Sequence, residues 1–556
     1  MSQSSAFLHR MIVNLLKTAP LSRAAQDALK TTLTFAFARG VMESELIART
    51  LPNTSHRSER ERLPSSQLFE SDLFLKEFVE LVSGAAHRGR REKFSHRSLD
   101  RLLRTPVGRE ARHTRQNILR VLLDDSPLRE AFEKVYRQLV QLRASLTDEL
   151  TLNSPTAALK RRVDILSELR SSIDALSAFD DLPSELGALG SWSKEVQASA
   201  AYGELAGLLD FEKSRVELQT NLQLGYDGTL RNFEIVQVSE RQHAALPDSY
   251  FAKKWRRLVS FLRGYRYQED DVLSQLLDAC FQSLEAEVAL LLQVIPQFEF
   301  YLAAFEFRRA AQEEGLKVCL PEFCEDALPG RQLNGLFNPW LLGSGRPIIP
   351  ADLCQAPAAR TVVLTGPNSG GKTRLLQSIA LTQILGQVGF FVPAARADLV
   401  EVESIFLSLQ ERPEANQKEG RLGSEMLRIR KVFESCGPRS LIILDELCSG
   451  TNPSEGGEIF EMVLELLREL KPQAFVSTHF LDLAQAIETK EMKLENRQRG
   501  GLDFLQVELS EGQAPTYQFV PGVASTSLAR ATAARLGVGK EELMQLVLGR
   551  VAQEER

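Results

Sequence analysis

The chain has 556 residues, of which 25% are charged and 43% hydrophobic, and its 67 Lys/Arg against 73 Asp/Glu leave a net charge of −6. That length holds roughly three to five structural units, and the composition excludes a disordered, collagenous or largely membrane-embedded chain. The acidic balance also excludes a generally basic nucleic-acid coat, but the basic charge is concentrated: residues 88–120 hold 11 Lys/Arg against Glu92, Asp100 and Glu110.

In chain order, residues 1–100 read as a helical region without an assignable role, with a polar, proline-bounded linker at 52–68. The N-terminus has a short apolar patch but no long apolar leader with a small-residue cleavage site. Residues 101–330 read as a helical core or lever-like domain. Segment 110–150 repeats apolar residues at helical spacing with Pro127 as punctuation, and 155–210 continues in that manner. Residues 212–240 alternate apolar and polar on both sides of Gly225-Tyr-Asp-Gly228, which predicts a β-hairpin near 215–240. Segment 250–315 returns to long helices and reads as a core pair. Its most apolar stretch, Val288–Phe305, contains Gln293, Pro296, Gln297 and Glu299, so it reads as a buried helix rather than a membrane span. Residues 327–360 are rich in turn and breaker residues and read as a linker.

Beyond the linker, short apolar runs at 361–365, 440–445 and 474–479 alternate with helical segments at 373–388, 424–436 and 456–470. Continuous apolar runs suit strands covered on both faces. Residues 331–556 therefore read as an α/β domain with a parallel sheet, and the chain as a multidomain protein of class α plus α/β. Six dispersed cysteines, with no His beside Cys319 and Cys324, read as reduced thiols of a soluble cytoplasmic protein.

After the strand at 361–365 comes Gly366-Pro367-Asn368-Ser369-Gly370-Gly371-Lys372-Thr373 and then an apolar helix. This is the G-x-x-x-x-G-K-[ST] pattern in its strand–loop–helix setting. Glycines let backbone amides turn inward around phosphates, and a helix beginning near Lys372 aims its positive end at them. Lys372 adds a point charge, and Thr373 offers a hydroxyl to Mg²⁺. The run Leu441–Leu444 ends in Asp445-Glu446, which predicts Asp445 as the second metal partner and Glu446 as the general base for the attacking water. The third run ends in His479. A lone histidine is usually structural, but one ending a strand of the same sheet sits near the γ-phosphate. ATP and Mg²⁺ are the expected ligands. Asp445-Glu-Leu-Cys-Ser-Gly-Thr-Asn-Pro453 with His479 resembles the ABC-type branch of ATPases. A separation of 73 positions between Lys372 and Asp445 leaves no room for a long coiled coil, and no LSGGQ-like transporter signature is present.

With these motifs the sequence resembles the MutS family. The phosphate loop, the helix running into Gly389-Phe-Phe-Val-Pro393, the stretch from Asp445 to Gly457, Ser477-Thr-His-Phe-Leu-Asp-Leu-Ala484 and Gly522-Val-Ala-Ser525 carry the resemblance. It is strong over about 335–540, and extends upstream through 218–238 and the basic cluster Lys253–Arg257. It implies a DNA-binding ATPase acting as an ATP-driven clamp in mismatch repair or recombination on duplex or branched DNA. It also implies a homodimer, since ABC-type sites are completed by a second subunit, and other repair proteins as partners. The alternative is a MutS-like ATPase acting on another large partner, such as the ribosome. A mismatch-reading family member carries a Phe-x-Glu wedge. Phe78-Val-Glu80 has those letters within an apolar helical pattern, so it reads as a core helix. The Asp-Glu-Leu detail is closer to the branch ending in a Smr nuclease domain, but no Smr-like segment follows residue 540. Gly420 falls where the family has a serine contacting the partner subunit's ATP, with Ser424 the nearest substitute. Ile348 falls where an adenine-stacking aromatic sits, so apolar packing on the base is expected.

For DNA, Arg97, Arg101 and Arg104 share one helical face, and Arg109, Arg112 and Arg115 resume the stripe after Pro106 and Gly108. Such a stripe binds phosphates without reading sequence, or else is a solvated face paired with acidic neighbours.

Overall fold

The computed structural model of the protein describes residues 73–84, 99, 103, 108–147, 155–182, 185–213, 217–224, 230–239, 269–324, 330–355, 361–367, 369–409, 421–448, 452–493, 501–511, 513–525, 543–545 and 547–548. The linker read at 52–68 and the Lys253–Arg257 cluster lie outside them. The described residues fall into two compact units, one within 117–299 and one within 57–116 and 300–556.

The chain-ordered helices are α1 (Leu75–Gly84), α2 (Arg109–Asp124), α3 (Ser126–Thr147), α4 (Pro155–Leu176), α5 (Glu185–Gln197) and α6 (Ala200–Lys213). Helix α3 begins where the Asp125 carboxylate accepts the Leu128 N–H at 2.9 Å, a side-chain cap of an otherwise orphaned donor. In the first unit α3 packs on α4, and a 3₁₀ turn at Ser177–Phe179 leads to α5. Phe132 stacks on Phe298 with centroids 4.1 Å apart, and Trp192 is fully buried. Strands β1 (Glu217–Leu224) and β2 (Leu230–Ser239) pair antiparallel where the sequence alternates.

Segment 250–315 was expected to form a helix pair. Its described part is instead one helix, α7 (Glu269–Glu313), with Pro296 inside it. Val288, Leu291, Ile295, Phe298 and Leu302 are all buried, so burial holds the helix through a residue that removes one backbone donor.

In the second unit, α1 buries Phe78 edge-on against Phe307 (5.2 Å) and Phe390 (6.2 Å). Phe78 is thus a core residue of a helix. The stretch read as a linker is not one throughout: it supplies β4 (Arg331–Leu336) and β5 (Ala351–Gln355). With β3 (Glu322–Phe323) and β7 (Arg396–Leu399) they form a sheet of order β3-β7-β4-β5. Short antiparallel strands between Gly- and Pro-rich turns carry too little periodicity to stand out in sequence.

The second sheet has the order β12-β11-β6-β10-β9-β8, from β6 (Thr361–Thr365), β8 (Ser404–Ser408), β9 (Ser440–Leu444), β10 (Gln473–Ser477), β11 (Leu502–Leu509) and β12 (Pro515–Pro521). All neighbours run parallel except β11 and β12. Strands β6, β8 and β9 are buried at every position. The covering helices are α8 (Lys372–Gln387), α9 (Arg421–Ser435), α10 (Pro453–Leu470) and α11 (Leu481–Lys493). Helix α10 starts with Asn452 capping the Ser454 N–H and Pro453 in the first turn, and buries Phe460, Val463, Leu464 and Leu467 on one stripe. Among the described residues no helix is long and apolar enough to cross a membrane.

Candidate functional site: a phosphate loop facing two carboxylates

Parallel pairing sets the site. Ser477 is in register with Leu364, and Val476 with Leu444, so β6, β10 and β9 end at one edge of the sheet. Ligands of open α/β sheets bind at such carboxyl edges. The loop after β6 opens α8 through Gly371, whose φ of 87° is left-handed, a conformation that costs other residues. Gly366 is demanded by packing as well as by conformation: a Cβ there would lie 2.8 Å from Val507 Cγ2 on β11. The glycines of the motif thus serve the fold beneath the loop as well as any phosphate above it.

Lys372 is buried in this loop, where its ammonium donates to Gly366 O (2.7 Å) and Pro367 O (3.2 Å) and lies 3.9 Å from Glu446 Oε1. Burial lowers its pKa, and the charges of Glu446 and Asp445 work against that shift. The Thr373 hydroxyl donates to Asp445 Oδ2 at 2.5 Å. Burial raises the pKa of Asp445, against the pull of hydrogen bonds from Ser477 and Thr373. Two hard oxygen donors therefore meet at the mouth of the loop, a set suited to a small divalent cation that keeps most of its waters. His479 follows β10. Burial lowers its pKa, the Glu446 charge works against that shift and the Lys372 charge adds to it.

An open cleft of about 650 Å³ adjoins the loop. It is lined by Ser369, Lys372, Thr373, Ile348, Tyr517 and Phe519 among others. The structure thus brings together Lys372, Thr373, Asp445 and Glu446, and Ile348 lines the cleft beside Lys372 and Thr373. Asn368 and Gly420 lie outside the described residues, as does the Ser424 side chain. Three lining residues escaped the sequence reading. Tyr517, with a left-handed φ of 62°, and Phe519 come from β12, more than 140 residues after the loop. Phe74 comes from far upstream and stacks on Trp340, over which the Arg374 guanidinium sits at 4.1 Å. No local pattern marks any of them.

The basic stripe divides. Arg97, Arg101 and Arg104 lie outside the described residues, and Arg109 is exposed. Arg112, expected as a phosphate contact, is 2% exposed, pairs with Glu401 at 3.4 Å and lies over the Phe323 ring at 3.9 Å. Pairing with an acidic neighbour, the other reading of the stripe, is what this arginine does. Arg115 is buried too, donating to Val388 O at 2.8 Å. Arg112 and Arg115 of α2 are thus buried and held by an ion pair, a backbone carbonyl and aromatic rings.

A buried strand, a glycine-opened loop at a helix N-terminus and an Asp-Glu pair two strands away form the arrangement a phosphate-loop domain needs. Residues 362–538 match the family model of MutS domain V, so this part of the chain is similar to that family's domain. It is similar to proteins named Endonuclease MutS2. That of Levilactobacillus brevis is 28% identical over 278 residues, 50% of this chain and 33% of that protein. Those of Thermomicrobium roseum and Thermus thermophilus are 33% and 32% identical over 197 and 184 residues, each match covering 24% of the relative. The chain thus spans a third or less of these curated relatives.

Proposed function

We propose that the protein is a Mg²⁺-dependent ATPase that couples nucleotide binding to its grip on duplex or branched DNA and works as a homodimer. The observation that carries this reading is the meeting of Lys372, Thr373, Asp445 and Glu446 at one sheet edge. Loop amides and the Lys372 ammonium hold the β- and γ-phosphates. Thr373 and Asp445 would hold Mg²⁺, which when bound neutralises developing phosphate charge. Glu446 takes the proton of the attacking water, and His479 donates to a γ-phosphate oxygen. Tyr517, with Ile348, packs on the adenine. A second subunit completes the site, as in other ABC-type domains, and the isologous contact closes at two copies. Arg97, Arg101, Arg104 and Arg109 are proposed to contact DNA phosphates; Arg112, held by Glu401, is left out of that set.

The test measures ATP hydrolysis with Mg²⁺ or with chelator, and DNA binding by anisotropy for homoduplex, mismatched duplex and four-way junction at several salt concentrations. Mg²⁺-dependent turnover and DNA affinity that changes with ATP are expected. Absence of turnover sinks the ATPase reading. Absence of binding to every DNA, with binding to ribosomes instead, reassigns the partner.

Replacing Tyr517 by Ala should weaken nucleotide binding roughly tenfold, the size of one aromatic–base contact. Titration with a fluorescent ATP analogue checks this, and an unchanged Kd removes Tyr517 from the base site.

A further inference from the structure

We propose that Ser477 is the positioning residue of the catalytic carboxylates, setting both the orientation of Asp445 and the backbone of Glu446; this rests on the ATPase reading above. In the sheet order, β10 lies between β6, which carries the phosphate loop, and β9, which carries the carboxylates. The last residue of β10 is therefore the one side chain of that strand placed to reach across to the end of β9. That residue is Ser477, fully buried. Its hydroxyl donates to Asp445 Oδ1 while its oxygen accepts the Glu446 N–H at 2.8 Å. A hydroxyl is suited to this double duty because it carries one donor and two acceptor positions on a single atom.

The two bonds do different things. The first leaves the other oxygen of Asp445, Oδ2, facing the Thr373 hydroxyl, so the carboxylate plane is set from both sides. The second holds a residue whose backbone is strained. Glu446 has a φ of 48° and Cys448 a φ of 58°, left-handed values that non-glycine residues adopt only under constraint. The far end of this turn is held in the same manner, by the Cys448 N–H donating to Glu425 Oε1 at 2.7 Å. Relaxation of φ at Glu446 would swing its carboxylate away from Lys372 and from the loop. Ser477 thus aligns the metal-side oxygen and the general base with one hydroxyl.

The experiment compares Ser477→Ala, Ser477→Thr and Ser477→Val with wild type and Glu446→Gln. Thr and Val have nearly the same shape and differ in the hydroxyl, so the pair separates hydrogen bonding from packing in a buried position. Thermal melts are run first, then kcat, ATP Kd and the Mg²⁺ concentration for half-maximal rate. Ser477→Ala and Ser477→Val should lower kcat by roughly 10- to 100-fold, the usual cost of losing a group that orients a metal ligand. Their ATP Kd should stay within about twofold of wild type and their Mg²⁺ requirement should rise. Ser477→Thr should keep most of the activity. Wild-type kcat in Ser477→Ala overturns the proposal, and so does a Thr variant as impaired as the Val variant. If Glu446→Gln is slow while Ser477→Ala is not, this inference alone falls. If wild type shows no Mg²⁺-dependent hydrolysis, the ATPase reading falls and this inference with it. Should Ser477→Ala and Ser477→Val fail to fold, Ser477→Thr decides: kcat near wild type supports the proposal, and a fall in kcat, with or without a rise in Kd, overturns it.

Discussion

Glu446→Gln should bind ATP about as well as wild type and turn it over roughly 10²-fold more slowly, the usual scale of a lost general base. The exchange is isosteric and keeps the left-handed backbone at position 446, whose N–H is held by Ser477. It removes the carboxylate that lies 3.9 Å from the Lys372 ammonium. With that competitor neutral, Lys372 has one less anion to leave when phosphates arrive, so binding should hold or tighten. Single-turnover hydrolysis beside equilibrium nucleotide titration checks both halves. Wild-type turnover in this variant would remove Glu446 from its role. Because the variant would accumulate the ATP-bound state, light scattering on it with ATP is also the sharpest reading of the proposed dimer.

Lys372→Ala should act on the other half of the cycle, weakening ATP binding by about 10- to 100-fold. A hydrogen bond to a charged group is worth ~1.5–3 kcal/mol, and the ammonium is the one cation of the described loop set directly in the phosphate cradle. In the present structure it is engaged by the loop's own carbonyls, Gly366 O and Pro367 O. Phosphate binding must therefore exchange those bonds, which keeps the net gain at the modest end of that range. Isothermal titration with and without Mg²⁺ measures the change, and a Kd within twofold of wild type would show that the loop amides alone carry the phosphates. The two variants separate cleanly, one losing turnover with binding intact and the other losing binding first.

The phosphate loop was legible because its chemistry is written in consecutive residues. Gly366 to Thr373 must be contiguous to turn a chain around a phosphate, and an apolar strand ending in Asp445-Glu446 is equally local. His479 was legible for a weaker reason, its place at the end of a third apolar run. What escaped was everything contributed by pairing across strands. Ser477 stands in plain view two residues before His479, yet its two bonds exist only because β10 lies between β6 and β9. Tyr517 and Phe519 reach the cleft only because β12 closes the sheet beside β11. Phe74 reaches it from the opposite end of the chain, and no spacing rule links residues 74 and 372.

The arginine stripe shows the same division from the other side. Spacing alone placed Arg112 and Arg115 on one face of α2, and the helix is there. Whether that face meets solvent or protein is a matter of what packs against it, and Glu401, Phe323 and Val388 do so from 200 or more residues away. Long-range packing likewise decided that Pro296 would not break α7 and that the Gly- and Pro-rich stretch after residue 330 would make strands. The sequence by itself carried the residues of the proposed chemistry, since phosphate binding and water activation need particular groups at short, fixed separations along the chain. Tertiary structure decided which side chains stand behind those groups, because burial and cross-strand contact depend on strand order and on partners far away in the chain.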